Sequence, residues 1–179
     1  MLQKSSIDRT VEAFFINPTK KHYLMDISRS IELAHTSVRN NLNKLIKLGL
    51  IIKSIETKGG RKFPIYKANL DNKYFKKYKV IYNLSVILKS ELVEFIEDKL
   101  MPKSIVLFGS YQSGEDVESS DIDMFIECKE KELDIKPFEK KLARKIELHF
   151  NENFNLYSKE LKNNIINGIV LSGFLEGYK

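Results

Sequence analysis

Two short segments of the sequence combine residue types that can bind a phosphate chain and a divalent metal ion. Gly109-Ser110 directly follows the apolar run 105–108, and Asp121 and Asp123 follow a polar loop. Glycine lets the backbone approach a ligand closely, and amide groups at a turn after a strand point at anions. Residues two apart in a strand project from one face, where their carboxylates repel each other unless a cation lies between them. The pattern predicts phosphate and metal binding at one site.

A third carboxylate would complete a site for two metal ions. Mg²⁺ accepts one or two protein carboxylates together with phosphate oxygens, and two such ions can activate a hydroxyl and neutralise pyrophosphate. Glu147 is the candidate because it is the acidic, outward position of the apolar strand pattern 146–150, although it can equally face solvent there. Ser120 is a further candidate for nucleotide contact or a turn-forming residue. His149 shares the face of Glu147, but a single histidine on a strand is more often structural.

The spacing of these residues carries a family resemblance. Gly-Ser, ten residues and then Asp-hydrophobic-Asp-hydrophobic resembles the signature of the polymerase β-like nucleotidyltransferase superfamily, in particular its minimal branch from archaea and bacteria. The resemblance is closest over residues 104–150. It implies that Gly109 and Ser110 contact the nucleotide's phosphates and that Asp121 and Asp123 bind Mg²⁺.

Two departures from that family pattern bear on activity. Tyr111-Gln112-Ser113-Gly114 stands where many minimal members have arginines, which removes positive charge for the triphosphate. The third carboxylate is usually Asp, whereas here it would be Glu147, which can still bind metal or take a proton.

The resemblance implies a Mg²⁺-dependent enzyme that transfers NMP from an NTP, with ATP expected, to an acceptor hydroxyl. The acceptor stays open among a protein side chain, an RNA end and a small molecule. Minimal members are often antitoxins that modify helical toxins, so a toxin partner is included. The competing interpretation is a non-enzymatic DNA-binding transcriptional regulator whose degenerate domain senses nucleotide or forms a homodimer.

The elements that must position these residues form an α+β pattern. Strands are predicted at 105–108, 122–126 and 146–150, with helices at 138–145 and 158–167 and a further apolar stretch at 169–175. Together they indicate a mixed sheet flanked by helices. The acidic loop of Glu115, Asp116 and Glu118 is expected to be solvated.

The N-terminal part has the element order of a winged helix-turn-helix domain. Helices are predicted at 7–16, at 26–33 with Asp26 as N-cap, and from a Thr36 cap to about residue 48, where Gly49 ends the helix. Strands at 50–55 and 63–68 flank a Gly-Gly turn. Residues 37–42 and 48–51 resemble the recognition helix of such a domain and its exit into the wing.

This part of the chain is basic. Residues 1–80 hold 17 Lys and Arg against 6 Asp and Glu, a net charge of +11, whereas the remaining residues carry −5. DNA, less readily RNA, is therefore the expected partner, although a protein-interaction module is the alternative. The predicted DNA contacts are Ser37, Arg39, Asn40, Asn43, Lys44 and Lys47 on the third helix, and Lys58, Arg61 and Lys62 at the hairpin tip.

The expected organisation is a winged helix-turn-helix domain at 1–70, a helical connector at 71–103 and a minimal nucleotidyltransferase domain at 104–179. The connector pattern also fits packing on either domain. No apolar run suits a membrane helix and the first residues lack a secretion signal, which favours the cytoplasm. Cys128, the only cysteine, forms no internal disulfide.

Overall fold

The chain divides into two compact units, Met1–Lys79 and Val80–Lys179, in a computed structural model that describes residues 4–152 and 157–176. The division falls within the helix α4 (Lys73–Ser90). The fold is mixed α+β, as predicted. Across the described residues, no helix is long and apolar enough to cross a membrane.

The first unit consists of three helices followed by a β-hairpin, the order that the sequence predicts. Its elements are α1 (Ser6–Ile16), α2 (Leu24–Ser30), α3 (His35–Lys47), β1 (Ile51–Lys58) and β2 (Arg61–Ala68). The strands reach the predicted Gly59-Gly60 turn, so each is longer than expected, and both glycines have positive φ.

Apolar side chains of the three helices form the core of this unit, including Phe14, Ile27 and Leu42. One buried polar contact crosses it, because Asn41 of α3 donates from Nδ2 to Thr10 Oγ1 of α1 at 3.0 Å. A buried amide with a partner avoids the cost of an unsatisfied polar group and fixes how the two helices meet.

The predicted caps of α2 and α3 are wrong. Asp26 lies inside α2, whose N-cap is Tyr23, and Thr36 lies inside α3, whose N-cap is Ala34. The backbone of His22 exchanges two 2.9 Å hydrogen bonds with Tyr66 of β2, which fixes the chain immediately before α2. Tertiary pairing, and not a local side-chain cap, therefore sets where α2 begins.

The second unit is a four-stranded mixed sheet with helices. Apart from its part of α4, it contains α5 (Leu92–Leu100), β3 (Ser104–Phe108), α6 (Gly109–Ser113), β4 (Ile122–Ile126), α7 (Lys136–Leu142), β5 (Ile146–Phe150), α8 (Lys159–Ile166) and β6 (Ile169–Gly173). The strand order is β5-β4-β3-β6, in which only the β4–β5 pair is parallel.

Alternation along the strands supplies an apolar core on each face of this sheet. On one face, Leu107 and Met124 belong to a cluster that includes buried residues of α5, such as Ile96. On the other, Phe108 and Phe125 pack in a smaller cluster with a residue of α8. Ile122, Met124 and Ile126 of β4 thus face the larger core, whereas Phe125 adds a buried apolar side chain to the face that carries Asp123.

Candidate active site

The parallel pairing of β4 with β5 brings together the polar residues of one sheet face. Asp123 lies opposite Glu147, and Phe125 lies opposite His149. Since side chains two apart in a strand share a face, Asp123, Glu147 and His149 converge. Each offers one possible metal-ligand atom, and these three atoms all lie within 4.8 Å of one another. The distance from His149 Nε2 is 3.6 Å to Asp123 Oδ1 and 3.8 Å to Glu147 Oε2.

Gly109 forms the wall of this cluster. It follows β3 at the point where Phe108 pairs with Asp123, and its φ is +76°. A Cβ at this position would lie 2.4 Å from Asp123 Oδ2. Both the positive φ and the lack of space require glycine, and they also explain why the chain can turn directly from β3 into α6. Gly109 therefore lies directly against Asp123, one of the two carboxylates that the sequence predicts as metal ligands.

The three polar side chains differ in exposure. Asp123 is 25% exposed and His149 31%, whereas Glu147 is 58% exposed. The rings of His149 and Phe108 meet edge to face with their centroids 5.1 Å apart. The Phe108 ring thus covers one side of the imidazole, and Glu147 is the most accessible of the three side chains.

Asp121 and Ser120 lie on the loop immediately before β4. Asp121 is not one of the three residues whose ligand atoms converge. It lines a shallow surface depression together with Ser120 and basic side chains of α7 and the turn that follows, including Lys140 and Lys145. Ser120 Oγ accepts a 2.9 Å hydrogen bond from the Val117 amide, which gives this serine a role in the loop's own structure. Its contact with nucleotide remains a prediction.

Asp116 corrects the expectation of a solvated acidic loop, because this residue is only 2% exposed. Its Oδ1 accepts a 2.8 Å hydrogen bond from Asn83 Nδ2, which also donates to the Tyr111 carbonyl at 2.8 Å. Arg144 lies 3.9 Å from the other Asp116 oxygen. Burial, followed by the nearby Asp116 charge, raises the pKa of Tyr111. The loop between α6 and β4 is thus anchored to α4 and to the end of α7.

Ser110 lies at the predicted turn after β3, where its backbone carbonyl makes the hydrogen bonds that hold the following loop. Its carbonyl accepts hydrogen bonds from the amides of Glu115 and Asp116, at 3.0 Å and 3.2 Å. The side chain is half-buried at the start of α6. Ser110 therefore holds the anchored loop next to Gly109.

His149 is the site residue that the sequence pattern does not single out. The one signal for it in the sequence is its position two residues after Glu147 on the same strand face. What the sequence alone does not show is the parallel pairing with β4, which places the imidazole beside Asp123.

The predicted nucleic-acid contacts lie on the first unit. On α3, Ser37 is half-buried and Arg39, Asn40, Asn43, Lys44 and Lys47 are exposed; at the hairpin tip, Lys58, Arg61 and Lys62 are exposed.

Lys58 differs from the other hairpin cations because it is engaged within the first unit. Its Nζ donates to the Tyr23 hydroxyl at 2.8 Å and lies 3.2 Å from Glu56. Hydrogen bonds from Lys21, Tyr23 and Lys58 lower the pKa of Glu56 to about 2.

Comparison with known proteins bears on the second unit. Residues 89–171 match the family model described as the nucleotidyltransferase domain. The matched residues include the cluster of Asp123, Glu147 and His149, and the match supports nucleotide transfer as the general activity of this part of the chain. Among curated proteins, none matches the chain.

A solved structure described as a possible transcriptional regulator from Methanosarcina mazei Go1 has 21% sequence identity to this protein. The likeness covers 52% of this chain and 79% of that chain, with a TM-score of 0.36. At this TM-score the likeness assigns neither fold nor function.

Proposed function

We propose that the nucleotidyltransferase domain transfers NMP from an NTP, with ATP the expected donor, to an acceptor hydroxyl in a Mg²⁺-dependent reaction. The observation that carries this proposal is the register that sets Asp123 directly opposite Glu147, beside a glycine that has no room for a side chain. The family match over residues 89–171 supports the same chemistry.

The donor set fits a divalent cation. Two carboxylates and an imidazole converge, and the Nε2 atom of His149 is buried with no hydrogen-bond partner among the described residues. Asp123 and Glu147 would hold the ion from facing strands, and Asp121 would add a carboxylate from the preceding loop. When bound, Mg²⁺ lowers the pKa of an attacking hydroxyl and neutralises charge on the phosphates.

The residues of this chain take distinct parts in the proposed reaction. The acceptor oxygen attacks the α-phosphorus, the bond from that phosphorus to the bridging oxygen of the β-phosphate breaks, and pyrophosphate leaves. Glu147, the most exposed of the carboxylates, takes the proton of the acceptor hydroxyl. The backbone at Gly109 and Ser110 lies against the phosphates. Orientation and neutralised charge supply most of the rate enhancement.

The test is transfer of label from α-labelled ATP, with Mg²⁺ and a host cell extract as the source of acceptors. We expect label on a discrete product with the wild type and none with the Asp121→Ala/Asp123→Ala double variant. Glu147→Gln keeps the size of the side chain but cannot accept the proton, so transfer should fall by about 10²-fold or more. Equal labelling by wild type and double variant would rule out transfer from ATP at this site.

For the first unit we propose a winged helix-turn-helix domain, comprising residues 1–70, that binds DNA. The support is the exposed α3 face of Arg39, Asn40 and Lys47, combined with the +11 charge of residues 1–80. Asparagine suits adenine edges, arginine suits guanine edges, and lysine suits phosphate. On this proposal, residues 71–103 connect the DNA-binding domain to the transferase domain at 104–179.

Gel shifts on genomic DNA fragments test this assignment. Neutralising Arg39 and Lys47 together should weaken binding and lower the salt dependence by about 0.9 for each phosphate that the variant no longer neutralises. Lys20→Ala, which removes a charge from the loop between α1 and α2, is the control. Undiminished binding by the Arg39/Lys47 variant would remove α3 as the DNA-binding face. Since Lys58 is held by Glu56 and Tyr23, its substitution by alanine should weaken DNA binding less than substitution of Arg61 does.

A second candidate function is a DNA-binding regulator whose transferase domain senses nucleotide without reacting. It is favoured by the sequence of α6, in which Tyr111, Gln112 and Ser113 provide no cation for a triphosphate. The two candidates separate in one comparison. A protein that binds ATP and changes its DNA affinity, yet transfers no label, is the regulator.

A further inference from the structure

The buried nitrogen of His149 is the feature of the candidate site that the carboxylates do not explain. Its Nε2 atom is shielded from solvent and makes no hydrogen bond to any described residue. Leaving a buried polar atom without a partner costs about 1–3 kcal/mol, so such an atom in a native fold calls for a reason. Two arrangements could satisfy this nitrogen. It could form an ion pair with the neighbouring carboxylates, or it could bind the same metal ion as they do.

The distances favour a shared ligand over an ion pair. A charge-assisted hydrogen bond from an imidazolium to a carboxylate is about 2.7–2.9 Å long. The Nε2 atom instead lies 3.6 Å from Asp123 and 3.8 Å from Glu147. Two ligands of one ion, each about 2.1 Å from it, are separated by about 3.0 Å in octahedral and about 3.4 Å in tetrahedral geometry. Small side-chain rotations would therefore bring all three atoms around one cation.

The imidazole is also held in place for this purpose. His149 lies on β5, whose register with β4 is continuous over five residue pairs, and its ring packs edge to face against Phe108. A ligand fixed by strand pairing on one side and an apolar ring on the other loses little side-chain freedom when an ion binds. Gly109 lies close against Asp123, since a Cβ at Gly109 would be 2.4 Å from Asp123 Oδ2.

The chemistry of the nitrogen donor determines which ion suits the cluster. Mg²⁺ prefers oxygen ligands and retains several waters, whereas imidazole nitrogen suits divalent transition metals. Mn²⁺ takes carboxylate oxygens as Mg²⁺ does, and as a divalent transition metal it gains more than Mg²⁺ from an added nitrogen ligand.

We propose that His149 is a metal ligand and that Asp123, Glu147 and His149 together bind a divalent transition-metal ion, with Mn²⁺ preferred over Mg²⁺. The inference rests on the proposed function in one respect: this ion would be one of the two that the transfer reaction uses. A Mg²⁺ ion held only by carboxylates and phosphates can occupy the other position.

Mn²⁺ binding to the full-length protein, measured by electron paramagnetic resonance, tests the inference without any catalytic readout. His149→Phe is the decisive variant because it removes the nitrogen donor and retains an aromatic ring against Phe108. His35→Phe, at the exposed start of α3, is the matched control for removal of a histidine. Pulsed measurements of nitrogen coupling to bound Mn²⁺ provide a direct signature of an imidazole ligand.

We expect the wild type and His35→Phe to show nitrogen coupling and His149→Phe to show none. Even partners outside the ligand shell change metal affinity by about 10–100-fold, so removal of this ligand should weaken Mn²⁺ binding by about 100-fold. Binding of competing Mg²⁺ should weaken by less than about threefold, because it gains little from nitrogen. Unchanged Mn²⁺ affinity in His149→Phe, or an equal decrease for both ions, would overturn the proposal.

The outcome also separates this inference from the proposed function. A protein that binds Mn²⁺ through His149 and labels no acceptor from ATP keeps the metal assignment and excludes the transferase proposal. A protein that labels an acceptor equally well with and without His149, and shows no nitrogen coupling, keeps the transferase proposal and excludes the metal assignment.

Discussion

Substitution of Gly109 by alanine is the sharpest test of how the candidate site is built. The change has two separable costs. An alanine at φ +76° occupies a left-handed conformation, which costs about 1–2 kcal/mol. In addition, the new Cβ would lie 2.4 Å from Asp123 Oδ2, where ordinary contact begins at 3.4 Å. The carboxylate must therefore move by about 1 Å, several times the ±0.2 Å tolerance of metal–ligand distances.

The two costs can be measured independently. Gly60→Ala is the control, because Gly60 also has a φ of +76° but its added Cβ would meet nothing within 4 Å. Both variants should lose about 1–2 kcal/mol of unfolding free energy from the backbone conformation, measured by urea denaturation. Only Gly109→Ala should lose Mn²⁺ binding and Mg²⁺-dependent labelling, by about 10²-fold, since misplacement by about 1 Å has effects of that size.

Two results would refute this account of Gly109. A folded Gly109→Ala protein that binds Mn²⁺ within twofold of the wild type would show that Asp123 does not need its present position to hold an ion. A Gly60→Ala protein whose metal binding fell to the same extent would show that the effect comes from general destabilisation.

Three further predictions concern stability. The pKa of Glu56 is lowered from 4.5 to about 2, so the ionised carboxylate stabilises the fold above pH 4.5 and this stabilisation is lost as pH falls toward 2. The difference in unfolding free energy between wild type and Glu56→Gln, measured in urea, should therefore shrink over that range. Asp116→Ala removes one of the two acceptors of Asn83 and the buried carboxylate beside Arg144, and should cost about 1–3 kcal/mol by urea denaturation. The control Glu115→Ala, at an exposed residue, should cost less than about 0.5 kcal/mol. Ser5→Ala removes the capping box of α1 and should lower stability by about 1 kcal/mol in thermal unfolding followed by circular dichroism.

Local patterns are sufficient to predict most elements of the fold. Alternation of apolar residues locates β4 and β5, and helical spacing locates α1 and α3, because these patterns depend only on which side of an element is buried. The predicted caps at Asp26 and Thr36 are wrong for the opposite reason. Where a helix starts depends on what precedes it in space, and the pairing of His22 with β2 joins residues more than forty positions apart.

The candidate site shows the same division between local and distant information. Asp123 and Glu147 can be predicted because each occupies the acidic position of an apolar strand. The relation between His149 and Asp123 depends on strand order and on parallel pairing, neither of which is encoded near either residue. Likewise, Asp116 looks like a surface acid until Asn83, 33 residues earlier, is seen to bond it.

The register of β5 has a consequence for the quality control of this protein. Displacing β5 by one residue would turn Glu147 and His149 away from Asp123 and would also take Ile146 and Leu148 out of the core. Each buried aliphatic side chain contributes about 1.5–3 kcal/mol, so a molecule with a misassembled site would also be measurably less stable. Proteases and chaperones that respond only to stability would thereby remove molecules in which Asp123, Glu147 and His149 do not converge, whatever chemistry these residues perform.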